Sequence, residues 1–277
     1  MNGPASPRLV ALAATLATAL AAAATATAQD PDARAEQATT DANAQATEAA
    51  PAPVRKGKPY FDLRRTTPIV GDAARGKSLT ELCSVCHGDD GISIVPIYPD
   101  IAGQSATYMY WQMVKFKDAG FGDTVMAVAV EPLSDQDMRD LAAYYAGLPY
   151  AGAPKPPEAQ AEAEATAPPD PALLARGEQL YRSGAPERGI PPCQGCHGVD
   201  AMGHPKAAEI DSAGYAPYAA YPALRGQRDS YLATRIAEYQ EDKHTTLTTD
   251  FVMGGAAHRL DKDSVEALTT WLASLPR

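Results

Sequence analysis

Beyond its first 28 residues the 277-residue chain has no apolar run long enough to cross a bilayer, so no later membrane-spanning segment is expected. Basic residues are the scarcer charge, 24 Lys and Arg against 34 Asp and Glu, for a formal net charge of -10. Such a chain suits the phosphate backbone poorly, and no nucleic-acid partner is expected. Paired catalytic carboxylates, a nucleophile triad and a phosphate-binding loop are all missing. Single acids such as Asp89 and Asp100 read as surface charge. Cysteine is sparse, four residues in all, and none lies near residue 28, which argues against a lipidated terminus.

Those four cysteines fall in one repeated frame, Cys83-Ser84-Val85-Cys86-His87 and Cys193-Gln194-Gly195-Cys196-His197. Cys-x-x-Cys-His is the signature of covalent haem attachment. Each thiol can add across a haem vinyl group, and the adjacent imidazole then reaches the iron. Two alternatives use the same residues: structural zinc, and a thioredoxin-like dithiol. Zinc needs four ligands gathered from segments 110 residues apart, and a dithiol does not require the following His. Two haem c groups are therefore expected, with Cys83, Cys86, Cys193 and Cys196 as thioether donors and His87 and His197 as iron ligands.

The N-terminus carries one basic residue, Arg8, then an Ala/Leu/Thr stretch from Leu9 to about Ala24, then Ala26-Thr27-Ala28. This predicts a cleaved signal peptide over 1–28 and a periplasmic protein, with an uncleaved anchor as the alternative. Residues 29–67 are rich in Ala, Thr, Pro and acids, and are expected to be a disordered leader. A similar stretch over 151–170 reads as a proline-stiffened linker. It separates two domains, 68–150 and 171–277. Lys and Arg number five against eleven Asp and Glu over 68–149, and eleven against thirteen over 171–277, so the first domain is the more acidic. Redox protein partners with basic docking patches would suit it.

The halves match in order beyond the cysteines. Pro99-Asp100-Ile101-Ala102-Gly103-Gln104 answers Pro222-Ala223-Leu224-Arg225-Gly226-Gln227, and Leu133 to Asp137 answers Leu260 to Ser264. The fold expected from this duplication is all-α, each half wrapping one haem with three main helices. The offset grows from 110 to 127 along the chain, which places an insertion within residues 203–221. In the first helix Leu79, Leu82, Cys83 and Cys86 share a face, as do Leu173, Gly177, Leu180 and Tyr181 in the second half. Gly76 and Gly177 inside these helices predict a close crossing. The middle helix should bury Tyr108, Met109, Gln112, Met113 and Phe116, matched by Tyr231, Leu232, Arg235, Ile236 and Tyr239. Ser134 with Asp137, and Asp261 with Ser264, mark the start of the last helix.

The duplication also sorts candidates for the sixth iron ligand. Met109, Met113 and Met138 stand opposite Leu232, Ile236 and Val265, which suits core packing. Met126 stands opposite Met253, each seven residues before the leucine that opens the last helix. The expected ligand pairs are His87 with Met126 and His197 with Met253. His204, His244 and His258 read as solvent-facing or hydrogen-bonded, with replacement of Met253 by one of them as the alternative. Pro99 and Pro222 are candidates to supply the carbonyl that receives the other ring nitrogen of each histidine, with shaping the turn before Gly-Gln as the alternative.

With these residues in place, positions 71–277 resemble the cytochrome c4 family, two fused class I cytochrome c domains. Cys-x-x-Cys-His-Gly-x-Asp-Gly at 83–91, the Pro-x-Ile-Ala-Gly-Gln element and Leu-Ser-Asp-Gln-Asp at 133–137 carry the likeness. The resemblance implies a di-haem electron carrier working between a membrane quinol-oxidising complex and a terminal acceptor such as an oxidase. A di-haem enzyme of peroxidase or thiosulfate-oxidising type, and a tightly bound cytochrome subunit of a dehydrogenase or oxidase, are the alternatives.

Overall fold

A computed structural model describes residues 60–118, 124–150 and 168–276; the expected signal peptide, most of the leader and most of the linker lie outside them. The described residues form helices and turns, with no strand beyond two isolated bridges. The first half contains α1 (Ala73–Lys77), α2 (Glu81–His87), α3 (Ala106–Asp118), α4 (Val125–Val130) and α5 (Asp135–Gly147). The second contains α6 (Pro171–Ser183), α7 (Gln194–His197), α8 (Asp229–Gln240), α9 (Thr248–Ala257) and α10 (Lys262–Ser274).

Capping chemistry fixes where the long helices begin. Asp170 accepts from the Ala172 N–H ahead of α6, with Pro171 in the first turn where its missing N–H costs nothing. Ser134 and Asp137 form a reciprocal capping box at α5, and Asp261 accepts from the Ser264 N–H at α10. In the first half α5 packs on α1 and α3, burying Met109, Tyr110, Val114, Met138, Leu141 and Tyr145. In the second, α10 packs on α6 and α8 around Leu180, Tyr181, Leu232, Ile236, Leu268 and Trp271. The duplication read from the sequence is thus repeated in packing.

The expected first helix departs from a simple rod in both halves. In the first it breaks between α1 and α2, where Ser78 Oγ and Thr80 Oγ1 bond back to the carbonyls of Arg75 and Lys77 at 2.7 and 3.0 Å and compete with the helical ladder. Leu82 is consequently exposed rather than on a core face. In the second half α6 ends at Gly184, and the chain runs through a 3-10 turn at Pro186–Arg188 before reaching Cys193. A second insertion therefore precedes the haem motif. Sequence reading placed one only at 203–221.

The last residues of the expected leader are folded. Phe61 exchanges backbone hydrogen bonds with Thr246 and Thr248 at 2.8 and 3.1 Å, and Leu63 is buried with Ala220 and Leu247. Thr66 Oγ1 accepts from Trp111 Nε1 at 2.8 Å, while its carbonyl accepts from the Ala216 N–H at 2.7 Å. The segment straps α3 to the 203–221 insertion. Averaged composition hid the few apolar residues at its end.

An acid-sensitive joint holds α1 to α5. Arg75 bridges Asp137 and the buried Asp140, and Asp140 also accepts the Asp72 N–H at 2.7 Å. Hydrogen bonds from Ser134 and from Arg75 hold the Asp137 carboxyl at about 2, and the Asp72 N–H followed by Arg75 lowers Asp140. Both folded-state values lie below the ordinary 3.8, so the stabilisation is present above that pH and is lost as pH falls toward 2. Amide exchange at Asp72, corrected for intrinsic rate, should lose protection across that window; unchanged protection would contradict the assignment.

Candidate functional site

Helix α2 carries Cys83, Cys86 and His87 within one turn and a half, and Gly88 then reverses the chain at φ +78. A Cβ at Gly88 would collide with the Ile92 carbonyl, so this turn requires glycine. The loop it opens returns to place the Pro99 carbonyl 2.9 Å from His87 Nδ1. A carbonyl can only accept, so Nδ1 carries the proton and Nε2 keeps its lone pair. Burial pushes the His87 imidazole below its ordinary pKa, which favours the neutral, ligating form.

The second half repeats each step. Gly198 turns the chain at φ +80 after α7, and His197 Nδ1 lies 2.9 Å from the Pro222 carbonyl. His197 is buried and its pKa is likewise lowered. Tyr98 and Tyr221, each just before the proline, sit with ring centroids 6.3 and 6.5 Å from their histidines. Sequence reading passed over this tyrosine pair, although Tyr-Pro occurs at the matching place in both halves.

All four thiols are half-buried and unbridged. Burial raises Cys83 and Cys196, and pushes Cys193 up to about 11. A redox dithiol needs the opposite shift, toward the thiolate. Among the described residues no three His, Cys, Asp or Glu side chains gather as a metal-ion site, so the zinc reading lacks its ligand cluster. Paired, unbridged thiols beside a histidine whose Nε2 is left free by its Nδ1 bond do fit a covalently attached haem. The buried Tyr145 hydroxyl, without a regular hydrogen-bond partner, lies beside Cys83 at the same place.

Met126 is half-buried on α4, where Thr124 Oγ1 caps the helix by accepting from the Ala127 N–H. Met253 is half-buried on α9 against the second core. Exposed apolar side chains flank both, Val125 and Val128 around Met126 and Phe251 and Val252 beside Met253. The spare histidines have protein partners: His204 stacks on Tyr218, His244 bonds Glu238 at 2.9 Å, and His258 Nδ1 lies 2.8 Å from the Gly254 carbonyl. Asp100 is no surface charge; it is buried, accepting from the Ser93 N–H at 2.7 Å and from Arg228 Nε at 3.0 Å.

A family model described as Cytochrome c matches residues 73–148 and again 174–276. Two helical modules that each present Cys-x-x-Cys and a tautomer-fixed histidine define a tandem c-type cytochrome. Cytochrome c4 of Stutzerimonas stutzeri is 32% identical over 218 residues, covering 74% of this chain and 90% of that one. The crystal structure of reduced recombinant cytochrome c4 from Pseudomonas stutzeri matches with a TM-score of 0.56 at 32% identity, over 74% of this chain and 100% of the other. The chain belongs to the cytochrome c4 family, and it is a di-haem electron-transfer cytochrome with one covalent haem c for each Cys-x-x-Cys pair. It is also 30% identical to the thiosulfate dehydrogenase electron acceptor of Thiomonas intermedia, over 70% of this chain and 78% of that protein.

Proposed function

We propose that the chain is an exported, periplasmic electron shuttle in which His87 and Met126 ligate one iron and His197 and Met253 the other. When bound, each haem supplies a one-electron ferrous/ferric couple. The observation that carries the reading is the matched pair of proximal geometries, His87 on Pro99 and His197 on Pro222, both at 2.9 Å with Nε2 free. The duplicated Met126 and Met253 would each give an iron its second protein ligand, which would leave neither iron an open site for a substrate. The protein then tunes potential through ligand identity, burial and hydrogen bonding, and does no bond-making chemistry.

The excess of Asp and Glu over 68–149 suits a partner with a basic patch, met by weak, salt-sensitive steering. A membrane quinol-oxidising complex as donor and a terminal oxidase as acceptor fit this place in a respiratory chain. Residues 1–28 have the pattern of the export signal that haem attachment outside the cytoplasm requires.

The test is ligand substitution read in the oxidised optical spectrum. Wild type should show methionine-to-iron charge-transfer absorption from both haems, and Met126→Ala and Met253→Ala should each remove one contribution and admit cyanide at that iron. Ready cyanide binding by wild type at either haem would sink the shuttle reading in favour of an enzyme. The likeness to a thiosulfate dehydrogenase electron acceptor supports a second reading, a cytochrome dedicated to one dehydrogenase. Co-purification with such an enzyme at low salt would favour it.

A further inference from the structure

The halves meet through an exchange of buried glutamines. Gln104, 6% exposed, donates from Nε2 to the Ala223 carbonyl and accepts the Ala223 N–H at Oε1, both at 2.9 Å. Gln227, 5% exposed, donates to the Asp100 carbonyl at 2.8 Å and accepts the Asp100 N–H at 3.1 Å. Each amide therefore grips both backbone groups of one residue in the opposite half. Ala223 follows Pro222, and Asp100 follows Pro99.

The N–H of Ala223 and the carbonyl of Pro222 belong to a single planar peptide group. At one edge that group accepts from His197 Nδ1 at 2.9 Å; at the other it donates to Gln104. The Pro99–Asp100 peptide stands in the same relation to His87 and Gln227. Fixing the N–H edge fixes the plane, and hence the direction of the carbonyl that receives the histidine. Hydrogen bonds in such a chain also polarise one another: a peptide whose N–H is engaged has a more negative oxygen. That oxygen pulls harder on the Nδ1 proton and makes Nε2 a stronger donor.

We propose that Gln104 and Gln227 are crossed positioning residues, each setting, from the opposite half, the hydrogen bond of the histidine that ligates the iron. The proposal rests on His87 and His197 being the proximal ligands. It gives the two haems a physical reason to sense one another's domain. Losing a glutamine weakens the carbonyl as an acceptor, makes the imidazole in the other half a poorer donor, and so favours the ferrous state there. The two arms are unequal. Asp100 is also held through its side chain by Arg228, whereas the Ala223 methyl can make no hydrogen bond, so Gln104 carries more of its arm.

The experiment uses the di-haem protein with Gln104→Leu and Gln227→Leu made singly. Reduction is followed by NMR with the haem signals assigned to each half, alongside amide exchange at Ala223 and Asp100. Gln104→Leu should expose the Ala223 amide to exchange and raise the potential of the His197 haem. The expected change is about threefold in its reduction equilibrium, about 28 mV at 59 mV per decade for one electron. Gln227→Leu should do the same to the Asp100 amide and the His87 haem, by less. Gln104→Met and Gln227→Met, which keep length and apolar volume, stand in if the leucine variants do not fold and should give the same crossed pattern. Equal shifts at both haems, a shift confined to the glutamine's own half, or no shift would overturn the proposal. Absence of hyperfine-shifted ring signals from His87 or His197 in wild type would overturn the ligand reading beneath it, a separate failure.

Discussion

Lys115→Ala should destabilise the folded protein by about 3–5 kcal/mol, the cost of removing one partner from a buried ion pair. Lys115 Nζ lies 2.7 Å from Asp250 Oδ1, and each side chain is 1% exposed. Burial pushes the Lys115 ammonium down to about 8, with the Asp250 charge pushing back, so the lysine keeps its proton at neutral pH. Without the lysine, Asp250 stays in the interior, 1% exposed, with its cationic partner gone. It cannot move away, because Oδ2 accepts the Thr246 and Leu247 N–H groups at 3.0 and 2.9 Å. Those bonds set the start of α9 at Thr248, five residues ahead of Met253. A first-half lysine thus supports the helix that presents the second half's proposed iron ligand. Lys115→Met with Asp250→Asn removes both charges and keeps an acceptor for the two N–H groups, and should recover most of the loss. Denaturant unfolding of the di-haem protein measures this. A single-variant loss below about 1 kcal/mol, the range of an exposed pair, would show that the site is open to water.

How much of this was readable beforehand follows the range of each interaction. Caps at Ser134 and Asp261 and the Pro99 and Pro222 carbonyls depend on nearer neighbours, whereas the glycines in the first helices answer to distant backbone and were legible because the duplication printed them twice. Lys115 was not readable, since its partner lies 135 residues on and nothing in a helix marks a lysine for burial. The same interface explains α3. Sequence reading gave it one apolar face, yet Tyr110 and Val114 are buried with Met109 against α5, and Lys115 is buried on a further face against Asp250 of the other half. Tyr108, Gln112 and Met113, expected on the inner face, are only half-buried. The glutamines were visible as a repeat, but their role needs the opposite half in view. The insertion before Cys193 carries no motif of its own and shows in the sequence only as spacing, seven residues from Gly76 to Cys83 against sixteen from Gly177 to Cys193. Met126 and Met253, proposed as the second iron ligands, rest on the repeat together with their places on α4 and α9.

The two helix glycines lead to the other large effect. Alanine in place of a helix-interior glycine ordinarily gains about 1 kcal/mol. At Gly177 a Cβ would drive into the Ala267 carbonyl and come within 2.6 Å of the Trp271 Cβ; at Gly76 it would strike the Asp140 carbonyl and come within 2.9 Å of the Tyr144 Cβ. In both cases the obstacle is backbone on the last helix, which cannot step aside as a side chain could. Overpacking against such an obstacle costs about 3 kcal/mol, which outweighs the propensity gain. Gly177→Ala and Gly76→Ala should each lower stability by about 2 kcal/mol, the overpacking cost less the propensity gain. Gly147→Ala, where a Cβ meets nothing within 4 Å, should be neutral or slightly stabilising. The pair also separates the halves, since Gly76→Ala parts α1 from α5, while Gly177→Ala parts α6 from α10 and the core containing Tyr181 and Trp271. Calorimetry of the three variants is sufficient: if Gly177→Ala melts with Gly147→Ala, the helices do not cross as closely as their glycines require.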